Sequence, residues 1–345
     1  MAATLALRSV RRRLPLIEAS HPNDLKREPL KFAALINALS GGVETSAAFE
    51  ARLRSSFAAG GLSADVEIVD GDRLRKAGER ALARAKAGEI AGVLVGGGDG
   101  SVRTLAGILA GTGIPLGVLP LGTLNHFARD LGIAPSLEAA IAVIAAGDVR
   151  SVDVAEVNGE IFINNSSIGL YPYMVLDRER RRHLHGSAKW PAMALAAWRT
   201  LRHLPVRRLK ICAEGWTEPC RTPCAFIGNN EYSLAVPSLG RRARLDAGTL
   251  CFYVARSQGR GPLVRLALRS MLGLARSAEL RTFSASTAEI ISRTSRLPVA
   301  LDGEVKMLRP PLHYRTRPGA LRVFAPASAA IRSAQQNPVQ CETSA

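Results

Sequence analysis

The sequence is poor in cysteine and in aromatic residues. Its five cysteines are odd in number and show no paired Cys-x-x-Cys spacing, so neither a disulfide framework nor a zinc site is indicated. Aromatic residues make up only 5% of the chain and no nucleic-acid-binding module is recognisable, which argues against a nucleic-acid-binding protein. The cysteine usage fits a reducing compartment, and we expect a cytoplasmic protein.

The sequence also lacks a long uninterrupted apolar run. Residues 1–13 carry four arginines, but Pro15, Glu18 and Asp24 follow where a secretory signal would be apolar. Residues 104–128 contain no formally charged residue, yet five glycines and two prolines interrupt them, which a lipid-embedded helix would tolerate poorly. We therefore expect a soluble or peripheral protein, with flexible tails at residues 1–29 and 327–345.

Acidic residues are scarce relative to basic ones. Lys and Arg total 46 against 29 Asp and Glu, which gives a formal net charge of +17. Such an excess indicates an anionic partner: a nucleic acid, a nucleotide or an anionic membrane surface. It is equally typical of a bacterial chain that uses arginine for solubility, so charge alone identifies no partner.

The pattern of apolar residues changes near residue 150. Before it, predicted strands alternate with predicted helices, which indicates an α/β unit with a mainly parallel sheet at residues 30–150. After it, strands with hairpin-like spacing predict an antiparallel β domain at residues 151–326, with one or two helical insertions. The predicted strands are residues 31–36, 65–69, 90–95, 115–119, 151–157, 161–164, 208–213, 224–228, 249–256, 279–286, 289–292, 297–300 and 321–325, and the predicted helices are residues 45–59, 73–87, 101–110 and 136–146.

A glycine-rich run is the first candidate for chemistry. The predicted strand at residues 90–95 leads directly into Gly96-Gly97-Gly98-Asp99-Gly100-Ser101, which opens a helix. Glycines let the backbone approach an anion, and the helix N-terminus adds N–H donors and positive dipole, so the arrangement favours phosphate binding. Asp99 would repel phosphate unless a divalent cation such as Mg²⁺ lies between them. No Gly-Lys-Ser/Thr follows, so this is not a P-loop.

Two more small-residue loops follow predicted strands, at residues 37–42 and 119–125. Loops after neighbouring parallel strands meet at the carboxyl edge of a sheet, where ligands bind. Late in the chain, Asp302-Gly303-Glu304 follows another apolar strand. Such a turn is usually only a β-turn. If the second half folds it over the glycine loops, it could deprotonate a hydroxyl or help to hold Mg²⁺.

Taken together, these segments resemble the diacylglycerol kinase catalytic-domain family, which includes bacterial lipid kinases, sphingosine kinases and ceramide kinases. The resemblance covers about residues 31–325. The motifs that carry it are Asn37 with Ser40-Gly41-Gly42, Gly97-Gly98-Asp99-Gly100-Ser101, Pro120-Leu121-Gly122-Thr123-Leu124-Asn125-His126-Phe127-Ala128-Arg129, Phe162-Ile163-Asn164-Asn165-Ser166-Ser167-Ile168-Gly169 and Leu301-Asp302-Gly303-Glu304.

The resemblance implies an α/β nucleotide-binding domain related to NAD kinases, followed by an antiparallel β-sandwich domain. It implies attack by a lipid hydroxyl on the γ-phosphate of ATP, with Mg²⁺ required. Asp99 would belong to the Mg²⁺-ATP site, Glu304 would be the proton acceptor and Asp302 would support the metal. The residues that would surround ATP are Asn37, Ser40, Gly41, Gly97, Gly98, Gly100, Ser101, Thr123 and Asn125.

The sequence departs from the family pattern at three places. Arg103 and Thr104 stand where the family commonly has Asn-Glu, and His126 stands where it commonly has Asp. Many bacterial members bind a structural Mg²⁺ through an Asp-Asp-Gly turn, which here is Asp246-Ala247-Gly248, so Asp246 is the only carboxylate left for that site. Asp99 and Glu304 are retained, and we expect an active enzyme.

Basic segments in the second half are candidates for membrane contact. Residues 187–204 predict a basic helix with tryptophans on its apolar face, and Arg178-Glu179-Arg180-Arg181-Arg182 lies just upstream. The helix could lie at an anionic membrane or pack against the β domain. The acceptor lipid is left open between diacylglycerol, a sphingoid base, phosphatidylglycerol and a polyprenol. A nucleotide-binding regulator without kinase activity is the alternative, and the sequence predicts no oligomeric state.

Overall fold

Strands and helices alternate through the first half of the chain. The computed structural model describes residues 31–41, 47–182, 206–214, 216–233, 240–256, 261 and 280–327. In chain order the first elements are β1 (Lys31–Asn37), α1 (Ala47–Ala59), β2 (Ser63–Val69), α2 (Gly71–Lys86), β3 (Gly92–Gly97), α3 (Asp99–Leu109), β4 (Leu116–Pro120), α4 (His126–Asp130) and α5 (Leu137–Ala146).

The second half is built mainly from strands. They are β5 (Val149–Val157), β6 (Glu160–Phe162), β7 (Asn165–Gly169), β8 (Arg207–Ala213), β9 (Trp216–Thr222), β10 (Cys224–Asn229), β11 (Leu250–Ala255), β12 (Leu280–Ala285), β13 (Thr287–Ser292), β14 (Leu297–Leu301), β15 (Glu304–Leu308) and β16 (Leu312–Phe324). One helix, α6 (Leu170–Arg182), follows β7.

Local sequence explains the α/β layers of the first half. Every residue of β3 and β4 is buried, as expected for parallel strands covered by helices on both faces. In α2 the buried residues Leu74, Ala77, Ala81 and Ala85 recur at helical spacing and form the stripe that faces the sheet. Helix α5 begins where the Ser136 side chain accepts a hydrogen bond from the backbone N–H of Ala139.

The strands of the described residues form two sheets. A 10-stranded sheet has the order β2-β1-β3-β4-β16-β13-β8-β9, with β5 paired to β16 and β6. Its strands β2, β1, β3 and β4 are parallel, whereas most of its remaining pairs are antiparallel. A six-stranded antiparallel sheet has the order β12-β11-β10-β7-β14-β15. The last strand, β16, therefore lies beside the parallel part, with Val323 opposite Leu116 of β4.

The antiparallel strands form a sandwich with a core of its own. Apolar residues of β5, β8 and β13 from the larger sheet pack in one cluster with residues of β10, β11 and β14 from the smaller one. Tyr314 is fully buried there and makes edge-to-face contacts with Phe162 and Phe252. The predicted fold class, an α/β unit with a mostly parallel sheet followed by an antiparallel sandwich, is confirmed. The division at residue 150 stays a prediction, because the larger sheet runs across it.

Several strands and helices begin or end at residues other than the predicted ones. The two-residue turn between β5 and β6 is formed by Asn158 and Gly159, which are both at positive φ, as such a hairpin requires. The strand predicted to reach Asn164 ends at Phe162, because the next two backbone N–H groups bond to Asp302 instead. Elements α4, β7, β9 and β15 are additional, and β16 begins at Leu312 rather than at residue 321.

Some predictions fall outside the described residues. The basic helix at residues 187–204 lies there, and so do both predicted tails apart from residue 327. The segment at residues 178–182 is the end of α6, whose backbone is described while its side chains are not.

Candidate active site

The three small-residue loops meet at the carboxyl edge of the parallel strands. Asn37 ends β1, and its side-chain Nδ2 donates a hydrogen bond of 2.8 Å to the Ser101 hydroxyl in α3. Its Oδ1 accepts from the backbone N–H of Leu39 at 3.0 Å. The Asn37 amide therefore joins the loop after β1 to the helix that follows the glycine run, and it fixes both beside the same space.

Glycines let these loops approach one another. A Cβ atom at Gly122 would overlap the Cα of Gly98, and a Cβ at Gly97 would lie 3.1 Å from the Ser40 hydroxyl oxygen. A Cβ at Gly41 would lie 3.5 Å from the Thr123 hydroxyl oxygen. The predicted nucleotide-binding residues of all three loops are thus brought together around the N-terminus of α3, as phosphate binding requires.

Asn125 holds the loop after β4 in shape. It has a φ of 47°, its Oδ1 accepts from the backbone N–H of Gly122 at 3.0 Å, and its Nδ2 donates to the carbonyls of Pro120 and Gly122 at 3.1 and 2.7 Å. Oxygen and nitrogen of this amide are both engaged within the loop. Its place in the family motif is therefore explained by loop geometry, and a contact to nucleotide would come from its neighbours.

Asp99 binds the start of α4. Its carboxylate accepts hydrogen bonds from the backbone N–H groups of His126 at 3.1 Å and Phe127 at 3.0 Å, and from the Asn164 side chain at 3.3 Å. A carboxylate at a helix N-terminus is favoured by the free N–H groups and by the helix dipole. Asp99 thereby connects the glycine loop, the loop after β4 and the first residues after β6.

The acidic turn between β14 and β15 folds back onto the glycine loop. Asp302 adopts a φ of 48°, and its carboxylate accepts from the backbone N–H groups of Ile163, Asn164 and Asn165 at 2.8, 2.8 and 2.9 Å. Burial raises the pKa of the Asp302 carboxyl to about 6, while the three N–H donors and the Arg103 guanidinium act in the opposite direction. Asp302 therefore fastens the turn to the segment after β6.

Glu304 projects from the same turn toward α3. Its Oε1 lies 2.6 Å from the position that a Cβ atom of Gly100 would occupy, and its Oε2 accepts a hydrogen bond from Nη2 of Arg103. The Glu304 side chain is 56% exposed, whereas that of Arg103 is 8% exposed. Glu304 thus presents a carboxylate at the mouth of the glycine loop, as the hypothesis of a folded-back turn requires.

A buried polar network lies behind these carboxylates. Arg242 is fully buried and pairs with Asp130, the last residue of α4, at 2.8 Å. It also donates to the carbonyls of Ile163 and Asn229 at 2.7 and 3.1 Å and to Oδ1 of Asn164 at 2.6 Å. Because the Asn164 oxygen is taken by Arg242, its Nδ2 is turned toward Asp99. Arg242 therefore orients the Asn164 amide that donates to Asp99.

The residues present fit one Mg²⁺ contact at Asp99. An ionised carboxylate offers about four acceptor positions, and three are used by His126, Phe127 and Asn164. One contact remains, and Mg²⁺ in phosphate sites is typically held by one or two carboxylates with phosphates and waters completing the shell. In the part of the chain that the structure describes, no group of three or more His, Cys, Asp or Glu side chains is arranged to hold a metal on its own.

The second predicted metal residue, Asp246, lies on the surface. It accepts a hydrogen bond from Arg244 at 3.1 Å and is 48% exposed. The nearby Asp153 uses its two oxygens on the backbone N–H groups of Gly248 and Gly319, at 2.7 and 2.8 Å. Asp246 as a ligand of a structural Mg²⁺ stays a prediction.

Three residues of the site were not predicted. Arg103 was noted only as a departure from the family pattern, and Asn164 was noted only as part of a motif. Arg242 stands among Arg241 and Arg244 with nothing in the sequence to distinguish it. Its burial depends on Asp130, 112 positions away in the chain, and no local pattern encodes such a pairing.

Comparison with known proteins indicates the same family that the motifs of the site resemble. The family model of the diacylglycerol kinase catalytic domain matches residues 31–157. A diacylglycerol kinase of Mycobacterium tuberculosis is 33% identical over 244 residues, which cover 68% of this chain and 76% of that protein. A Pseudomonas aeruginosa protein named "Probable lipid kinase YegS-like" is 31% identical over 274 residues, which cover 78% of this chain and 86% of that protein.

Solved structures share the fold. The crystal structure of a diacylglycerol kinase from Bacillus anthracis superposes with a TM-score of 0.62 at 20% sequence identity, covering 87% of this chain and 98% of that one. At this identity the likeness concerns the fold alone. Among the described residues of this chain, no helix is both long enough and apolar enough to cross a bilayer.

Proposed function

Because the chain belongs to the diacylglycerol kinase catalytic-domain family, we propose that it is an ATP-dependent lipid kinase acting on diacylglycerol or a related membrane lipid. The observation that carries the proposal is the position of the acidic turn. Glu304 reaches from the β-sandwich to Gly100, where the N-terminus of α3 would receive phosphate groups. In this proposal the phosphate groups and a carboxylate acceptor would face the same space, which supports phosphoryl transfer to an alcohol.

In the proposed reaction the lipid hydroxyl oxygen forms a bond to the γ-phosphorus. The bond from that phosphorus to the bridging oxygen breaks, so ADP leaves, and the hydroxyl proton passes to the Glu304 carboxylate. The chain contributes mainly positioning and charge stabilisation, because the transition state of phosphoryl transfer is loose. Backbone N–H groups at the start of α3 and the Thr123 and Ser40 hydroxyls are the donors that we assign to the phosphates.

Asp99 is the residue that we assign to Mg²⁺. When bound with ATP, the ion would neutralise charge on the phosphate oxygens. We assign Asp302 to a different task, which is to hold the turn that carries Glu304, because its oxygens accept three backbone N–H groups. Asn37, Ser101 and Asn125 shape the loops around the nucleotide.

We propose further that the protein works in the cytoplasm at an anionic membrane surface. Tyr171 and Met174 of α6 and Met307 of β15 are large apolar side chains that are 42–50% exposed. The Tyr171 hydroxyl lies 3.7 Å from where a Cβ of Gly303 would be, so this apolar edge adjoins the acidic turn. In this proposal residues 30–150 bind the nucleotide, and residues 151–326 supply the acidic turn and the lipid side.

The test is transfer of labelled γ-phosphate from ATP to lipids in anionic vesicles with Mg²⁺. The panel contains diacylglycerol, a sphingoid base, phosphatidylglycerol and a polyprenol, since the acceptor class is open. We expect Asp99→Asn and Glu304→Gln each to lower kcat by about a hundredfold or more, the range typical of lost acid–base or charge-stabilising groups. Thermal unfolding is needed for Asp99→Asn, because that side chain also binds the start of α4.

Matched controls are Asp72→Asn and Glu79→Gln, which remove exposed carboxylates of α2. We expect both to transfer phosphate at the wild-type rate. Absence of transfer by the wild-type protein to every lipid alcohol, with ATP still bound, would favour a nucleotide-binding regulator instead. Full activity of both site variants would contradict the assigned mechanism.

A further inference from the structure

We infer that Arg103 is a positioning residue for Glu304, an inference that rests on the proposed kinase function. Arg103 lies in the second turn of α3, only 7% exposed, and its Nη2 donates to Oε2 of Glu304. The two residues are 201 positions apart in the chain, so the pair joins the glycine-loop helix to the acidic turn.

The two oxygens of the Glu304 carboxylate have different neighbours. Oε2 is held by Arg103, while Oε1 faces Gly100 at the start of α3. One oxygen is therefore anchored, and the other is directed to the space where the lipid hydroxyl would meet the γ-phosphate. An exposed glutamate on its own would sample many rotamers, and fixing such a side chain costs conformational entropy. Arg103 fixes it before substrate binds.

Burial of Arg103 indicates a specific role for its charge. A buried guanidinium is costly unless it is paired, and Nε of Arg103 has no hydrogen-bond partner in the structure. The guanidinium also acts on the neighbouring carboxyl of Asp302, where it favours the ionised form and so lowers the pKa against the effect of burial. A single positive charge thus serves both carboxylates of the turn and reduces the repulsion between them.

An ion-paired carboxylate suits this reaction because orientation matters more than basicity. In a loose transition state the acceptor hydroxyl keeps its proton until late, so a strong base is not required. What Glu304 must provide is a fixed acceptor that aligns the hydroxyl with the phosphorus. Arg103 supplies that alignment without touching the reacting atoms.

The experiment is a double-mutant cycle on phosphate transfer from ATP to diacylglycerol vesicles, using Arg103→Met, Glu304→Gln and the double variant. We expect Arg103→Met to lower kcat about tenfold or more with the KM for ATP within about twofold. We expect the double variant to be no slower than Glu304→Gln alone, because we assign the effect of Arg103 on phosphate transfer to its contact with that carboxylate. Arg103→Lys keeps the positive charge on a shorter side chain, and its kcat should lie between those of Arg103→Met and the wild type.

Arg80→Met is the control for loss of an arginine, since Arg80 is exposed and pairs with Glu67 on the far strand β2. A raised KM for ATP with unchanged kcat would overturn the inference in favour of a nucleotide contact, and so would losses that multiply in the double variant. If Arg103→Met unfolds, Arg103→Lys with and without Glu304→Gln closes the same cycle. Wild-type protein that phosphorylates no lipid refutes the proposed function itself, whereas an active wild type with unaffected Arg103 variants refutes only this inference.

Discussion

Asn164 connects three parts of the site by itself. Its Nδ2 donates to Asp99, its Oδ1 accepts from Arg242, and its backbone N–H donates to Asp302. A buried amide with every group engaged cannot rotate without losing hydrogen bonds that are expensive to leave unmade. The carboxylate proposed for Mg²⁺ and the carboxylate that fastens the acidic turn are therefore set relative to each other through one residue.

Asp302 gives a pH dependence whose sign is defined. Its pKa is about 6 in the folded chain against an ordinary 3.8, so between those values the folded chain holds a proton that the unfolded chain has released. The contribution of Asp302 to the free energy of unfolding therefore rises as pH falls through this window. Compared with Asp302→Asn, the wild type should gain about 1 kcal/mol between pH 6 and pH 5, measured by urea unfolding.

The opposite trend is the informative alternative. If the wild type instead loses free energy of unfolding relative to Asp302→Asn as pH falls, the three backbone N–H donors outweigh burial and the pKa of Asp302 is lowered. In that case acid would loosen the acidic turn directly. Kinase activity measured over the same pH range shows which protonation state the turn needs, since the protonated carboxyl would place an O–H against one of the three N–H donors.

At the residue scale, the sequence indicates which side chains can carry chemistry more readily than it indicates which residues they contact. Asp99, Asp302 and Glu304 stand out because they lie beside glycines after buried strands and within the motifs that resemble the family. Their partners do not stand out. The bond from Asn164 to Asp302 spans 138 positions and that from Arg103 to Glu304 spans 201, so each depends on the completed tertiary fold.

At the scale of elements, α4 is the least predictable part of the site. It has five residues, too few to be stable alone, and it carries no apolar periodicity long enough to recognise. Tertiary contacts hold it at both ends, since Asp99 binds its first N–H groups and Arg242 binds its last residue, Asp130. The strands β1, β3 and β4 were predictable for the opposite reason, because continuous buried apolar runs leave few alternatives.

Arg242 should therefore be among the most sensitive positions for stability. Arg242→Met leaves Asp130 buried without its partner, and we expect a loss of about 3–5 kcal/mol in the free energy of unfolding by chemical denaturation. Arg244→Met is the matched control, since Arg244 is exposed and pairs with the exposed Asp246, and it should change stability by about 0.5 kcal/mol or less. Equal stability of the two variants would contradict the structural role. Adding Asp130→Leu to Arg242→Met should restore part of the loss.

On the scale of the whole molecule, the charge excess predicts how membrane binding responds to salt. With a net charge of +17, attraction to anionic lipid should weaken as salt shortens the Debye length from about 10 Å at 0.1 M to 3 Å at 1 M. We expect co-sedimentation with phosphatidylglycerol-containing vesicles to fall markedly over that range. Vesicles of neutral lipid are the control and should bind weakly throughout. Binding that is independent of salt would assign membrane contact to the apolar edge at Tyr171, Met174 and Met307.

The position of β16 has a consequence for how the protein is made. This final strand supplies the neighbour of β4 and of β5, so the parallel part of the sheet cannot be completed until residue 324 has left the ribosome. At about 5–20 residues per second, β4 waits about ten to forty seconds with an open edge. An unpaired apolar strand edge invites association with other chains. Nascent chains of this protein should thus depend on chaperones until β16 has emerged and can pair with β4.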